Sequence, residues 1–76
     1  MRIERITYDP AVMGGKACIR GLRVTASTIV GMLAHGYSRE RILQAYPYLE
    51  AEDIGAVLEY AAWRLEESES LLAATG

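Results

Sequence analysis

Residues 25–49 read "TASTIVGMLAHGYSRERILQAYPYL", and their spacing decides the fold class. Thr25 offers a side-chain oxygen that can cap a helix, and Ala26, Ile29, Val30 and Leu33 follow at the i, i+3, i+4, i+7 spacing of one helical face. Gly36 is placed to end that helix in a left-handed turn. Ser38 opens a second, shorter helix carrying Ile42, Leu43 and Ala45, which stops because Pro47 disfavours helical geometry at Tyr46. Gly31, inside the first helix, costs about 1 kcal/mol relative to alanine. A glycine at such a position either marks the close approach of another element or is simply tolerated.

On the C-terminal side, a third helix is expected from about Ala51 to Ser68 or beyond, with Ile54, Val57, Leu58, Ala61 and Leu65 on one face. Ala56, Tyr60 and Trp63, spaced by four and three, form a second apolar stripe. A domain this small has one core, so these three residues are assigned to an oligomer interface. The competing reading is that Tyr60 and Trp63 only cover the edge of the core. On the N-terminal side, "IERITY" at residues 3–8 is enriched in β-branched residues and ends at the turn signal Asp9-Pro10, which predicts a short strand. "AVMGGK" then supplies a turn, and "ACIRGLRV" suits either a tight hairpin or one bent strand. Together these make a small ribbon.

At 76 residues the chain is one domain, and folded chains near this size remove only about 60% of their unfolded surface from water. The single cysteine, Cys18, closes no intramolecular disulfide, and no Cys/His cluster suits zinc, so oligomerisation is the remaining staple. A homodimer or higher homo-oligomer is expected. The longest uncharged run, Val24 to Ser38, is interrupted by polar residues and is too short to span a membrane. "MRIERITYDP" has no apolar signal core, which with the lone thiol makes the cytoplasm the expected compartment. The formal net charge of −2 hides a division: residues 1–41 hold seven cations against three acids, and residues 42–76 hold seven acids against Arg64 alone. Either the two halves attract each other across a dimer, or the N-terminal half binds anions.

From "ITYDPAVMGGKACIRGLRV" through the "HGYS" turn and "YPYL" to "EDIGAVLEYA", the chain resembles domain-of-unknown-function family 433. Gly14, Gly15, Lys16, Arg20, Gly21 and Arg23 match the family's Gly-Gly-Lys-Pro and Arg-Gly-Thr-Arg elements, while Ala17 replaces the usual proline and Leu22 the usual threonine. The resemblance implies a helix-turn-helix-related fold, homeodomain-like or winged-helix-like. It also implies an antitoxin of a type II toxin–antitoxin pair, encoded beside a PIN-like ribonuclease and repressing its own operon as a dimer. The expected fold is therefore mainly α: a short N-terminal β-strand or ribbon, then a three-helix bundle containing a helix-turn-helix-like pair and a long C-terminal helix. Residues 1–68 form that single domain, and 69–76 are an acidic, small-residue tail, partly flexible, that frays or docks on a partner.

The residues modify that expectation. A helix-turn-helix reads the major groove with the start of its second helix, which here opens with Glu50, Glu52 and Asp53. These acids suit the positive end of the helix dipole but oppose DNA phosphates. The candidates for a nucleic acid or another anionic partner are instead Lys16, Arg20, Arg23, Arg39 and Arg41. Arg39 and Arg41 sit unfavourably at a helix N-terminus, a penalty that an anion would reverse; alternatively they are solvated or paired with Glu40. Arg20 and Arg23 either present the ribbon to a groove or hold it together through carboxylates such as Asp9. The Gly-Lys-Ser/Thr ending of a phosphate-binding loop is missing from "GGKACIRG". His35 is placed to cap the first helix, Cys18 reads as a small core residue, and the pairs Glu52-Asp53 and Glu66-Glu67 read as helix surface. No catalytic constellation, cofactor or metal site is read. The functional alternatives are a DNA-binding regulator without a toxin, or a homo-oligomer with another partner.

Overall fold

A computed structural model describes residues 3–75, with side chains through Ser68. A single 3-10 turn, Ile3–Arg5, leads into strand β1, Ile6–Thr7, which pairs antiparallel with β2, Cys18–Ile19, in the register Ile6 with Ile19 and Thr7 with Cys18. The helices are α1, Ala26–Ala34, α2, Arg39–Ala45, and α3, Ala51–Thr75. The fold is thus mainly helical, with a two-stranded N-terminal ribbon and a long C-terminal helix. The strand expected over residues 3–8 shrinks to two residues, because the chain coils at Ile3–Arg5 to pack on α3. The tail 69–76 lies outside the described side chains.

Between the two candidate forms of "ACIRGLRV", the backbone adopts the tight hairpin. Arg20 and Gly21 both have positive φ, 47° and 71°, the signature of a type I′ turn. The Leu22 N–H closes it onto the Ile19 carbonyl at 2.8 Å. Gly21 takes this conformation freely, whereas Arg20 pays a steric penalty and needs an anchor. Beyond the turn, Ile19 N–H bonds the Val24 carbonyl and Cys18 bridges Thr25, so the ribbon runs directly into α1.

Local chemistry delimits the helices as the sequence indicates. Thr25 caps α1, its Oγ1 accepting from the Thr28 N–H at 3.2 Å. At the other end, His35 Nδ1 lies 2.7 Å from the Gly31 carbonyl, and Gly36 follows with φ +88°. Ser38 Oγ accepts from the Arg41 N–H and caps α2.

The core gathers Ile6, Ile19, Val24, Ala26, Ile29, Ile42, Leu49, Ile54, Ala56 and Val57, with Cys18 also buried. The rotation of α3 differs from the expected one. Ile54 and Val57 are buried, but Leu58 and Leu65, expected beside them, are 38% and 63% exposed. Ala56, assigned to an oligomer interface, is wholly buried in the chain's own core and offers nothing to a second chain. At the start of the helix Asp53 is buried together with Ile54, Ala56 and Val57, so the inward face is centred nearer Asp53 and Ala56 than the expected one.

Candidate functional site

The most highly organised polar cluster lies where the ribbon meets the start of α3. Asp53 is fully buried and stands at the third helical position, reaching back 2.8 Å to accept the Glu50 N–H, which is one half of a capping box. Both of its carboxylate oxygens also receive Arg20, through Nε at 3.0 Å and Nη2 at 2.9 Å. Arg5 adds a third cationic contact through Nη1 at 2.7 Å. The same Arg5 guanidinium donates to Glu50 at 2.7 Å and Glu52 at 3.1 Å. Arg20 extends to the Tyr48 carbonyl at 3.0 Å. One carboxylate therefore ties together the 3-10 turn, the hairpin, the α2–α3 connection and α3. Among the described residues every buried side-chain nitrogen and oxygen has a hydrogen-bond partner.

The electrostatics follow from this geometry. Burial alone would raise the pKa of Asp53, but the Arg20 hydrogen bonds, the Glu50 N–H and Arg5 outweigh it and hold the carboxyl down at about 2. Arg5 is held more firmly protonated by its hydrogen bonds to Glu50 and then Asp53, and Arg20 by its hydrogen bond to Asp53. The clamp is charged throughout the physiological range.

These contacts divide the proposed binding cations. Arg20 is engaged inside the chain, and its partner is Asp53 rather than Asp9, whose Oδ1 instead accepts the Ala11 N–H in the turn after β1. Lys16, Arg23 and Arg39 are exposed and carry no side-chain ion pair or hydrogen bond among the described residues. Arg41 lies 5.1 Å from the Tyr37 ring centroid, a cation–π contact that leaves its donors open to solvent. Asp53 corrects the reading of Glu52-Asp53 as helix surface. A visible signal existed: an acid at the third position of a helix whose preceding residue needs capping, together with an arginine confined to a two-residue turn.

A second polar-aromatic cluster borders the body. The Tyr8 and Tyr60 hydroxyls hydrogen-bond, and the rings run on to Trp63, with centroids 6.3 Å and 6.2 Å apart. Burial, then the Tyr60 hydrogen bond, pushes the Tyr8 hydroxyl up to about 12. Tyr60 packs against the core edge while Trp63 stays 39% exposed. Among the described residues no group of three His, Cys, Asp or Glu side chains is arranged to hold a metal ion, and no helix is long and apolar enough to cross a membrane.

Fold and clamp together define a class: a small three-helix domain whose N-terminal ribbon is locked by arginines onto the start of its last helix. The chain belongs to the DUF433 family of proteins of unknown function, whose pattern matches residues 6–61. It is 33% identical to a DUF433 member from Anabaena variabilis ATCC 29413, whose crystal structure superposes with a TM-score of 0.76 over 91% of this chain and 68% of that one. It is also 40% identical over 58 residues to the uncharacterized protein y4eO of Sinorhizobium fredii (strain NBRC 101917 / NGR234). That match takes in 76% of this chain but spans only about a quarter, 26%, of the relative's length.

Proposed function

We propose that the chain is a binding protein, the antitoxin of a type II toxin–antitoxin pair, which neutralises a PIN-like ribonuclease by direct contact and represses its own operon. The observation that carries this reading is the division among its cations. Arg5 and Arg20 satisfy the acids at the start of α3, whereas Lys16, Arg23, Arg39 and Arg41 remain directed to solvent. Exposed cations attract a polyanionic partner over a Debye length of about 8–10 Å and dock at its acidic surface. The acidic, metal-binding centre expected of a PIN-like nuclease has that character.

DNA is the second anionic partner, and the clamp constrains how it would bind. The first turn of α3 is covered by Arg5 and Arg20 and carries Glu50 and Glu52 at its rim, so contacts would come from the ribbon and α2 rather than from a recognition helix.

Co-expression with a PIN-like nuclease encoded beside the chain tests the proposal: a stable complex and restored growth support it, and the lack of such a neighbour, or its failure to bind, overturns it. For the operator, log K should fall with log salt by about 0.9 per phosphate contacted. Absence of binding to its own promoter at low salt removes the repressor function and leaves neutralisation to stand alone.

A further inference from the structure

Trp63 is the only tryptophan in the chain, and α3 holds it past the end of the core. The buried positions of that helix end at Val57, Tyr60 is half-buried, and Trp63 is 39% exposed. Tyr60 packs beside the indole, with ring centroids 6.2 Å apart. Around Trp63 opens a pocket of about 490 Å³ whose other walls are Glu59, Ala62 and Glu66. Residues 59, 62, 63 and 66 share one face of a helix, so two carboxylates flank the indole.

An indole between carboxylates is complementary to a guanidinium, which stacks on aromatic faces and donates its N–H groups to carboxylates. None of the described arginines of the same chain lines the pocket. Arg5 and Arg20 are bound in the clamp, and Arg64 borders the groove between α3 and α1, with Glu67 at 3.7 Å.

The matching surface lies on α2. Arg41 is exposed there, held 5.1 Å from the centroid of the Tyr37 ring, which is itself 40% exposed. Its neighbour Glu40 projects about 100° away around the helix. One chain thus displays both an acid-flanked tryptophan and an arginine backed by a tyrosine. Trp, Tyr and Arg are the residues that dominate interface energies, and opposite charges set which surfaces meet.

We propose that two copies of the chain associate reciprocally, Arg41 of each entering the Trp63 pocket of the other between Glu59 and Glu66, with its own Tyr37 behind it. The association requires neither a toxin nor DNA, and a polyanion that captures Arg41 competes with it. Sedimentation velocity of the full chain at low salt should show a dimer that loosens as salt rises, and the emission of Trp63 should change with the same concentration midpoint. Arg41→Glu in one variant, and Glu59→Lys with Glu66→Lys in another, should each weaken dimerisation by about tenfold or more and keep the far-UV circular dichroism of the parent. Mixed one to one, the two variants should regain a dimer, because both contacts then join opposite charges again. Trp63→Ala, which alters no charge, should weaken the parent dimer as well. If Glu59→Lys unsettles the helix, Glu66→Lys alone, at an exposed position, takes its place in the mixture. A chain that stays monomeric at low salt and the highest soluble concentration overturns the proposal. So does a dimer that the folded variants leave unchanged, or a pair of folded variants that fails to associate when mixed.

Discussion

Arg20 and Arg23 are three residues apart in one hairpin, and their fates differ completely. Arg20 is held by a buried carboxylate and a backbone carbonyl from two other segments, while Arg23 extends into water without a partner among the described residues. The difference arises in the backbone: Arg20 sits at the first central position of a type I′ turn with φ 47°, which aims its side chain across the domain at α3. Arg23 lies beyond the turn, before the strand-like pairing resumes at Val24. Cations that look equivalent in composition thus separate into one group that builds the fold and another that remains available for binding. Arg5 belongs to the first group, and Lys16 and Arg39 to the second.

The comparison breaks most visibly at Asp53. Asp53→Ala leaves Arg5 and Arg20 facing each other around an empty carboxylate site and frees the Glu50 N–H, so it should destabilise the domain by about 3 kcal/mol. Against a total of roughly 4–11 kcal/mol expected for a chain of this length, that should move the urea midpoint far towards zero. Arg20→Lys should lower the midpoint by less, because lysine keeps the charge but cannot reproduce the forked contact to both carboxylate oxygens. If Asp53→Ala left the midpoint unchanged, the clamp would not be what orients α3.

Acid offers a graded version of the same experiment. The Asp53 carboxyl falls from its ordinary 3.8 to about 2 on folding. The unfolded chain therefore binds more protons between those values, and stability must fall as pH falls there. The contribution is complete above about pH 4 and disappears as pH drops through 2, amounting to no more than about 2 kcal/mol because both arginines stay partly solvated. Asp53→Asn should flatten this part of the stability profile.

The aromatic cluster comes next in size. Tyr8→Phe removes a hydroxyl from the Tyr8–Tyr60 pair but keeps the ring packing, so it should cost about 0.5 kcal/mol. A near-ultraviolet dichroism change with little shift in melting temperature is the expected result.

Caps and turns were legible in the sequence because they are local. Thr25, Gly36 and Ser38 mark helix ends through bonds made within three or four residues, and the structure has them at those ends. The face of α3 was not legible, because hydrophobic spacing fits two rotations of that helix equally well. Leu58 and Leu65 belong to one and Ala56 and Tyr60 to the other. The rotation found is the one that faces Asp53 towards Arg20, 33 residues away in sequence, and periodicity carries no information about such a pair. For the same reason the structural alternative for Arg20 pointed to carboxylates such as Asp9, while the partner it meets is Asp53.

The smallest expected effect on stability is the sharpest test of the second group. Lys16, Arg23 and Arg39 are exposed and without partners among the described residues, so replacing all three with alanine should change unfolding free energy by within about 0.5 kcal/mol per site. The same variant should bind an anionic partner more weakly, and with DNA it should lose about 0.9 from the salt slope for each phosphate contact removed. A fold undisturbed and a slope flattened would separate recognition from architecture. A slope left as steep as that of the parent would mean that the chain meets its partner through another surface, and that these side chains are only solvated.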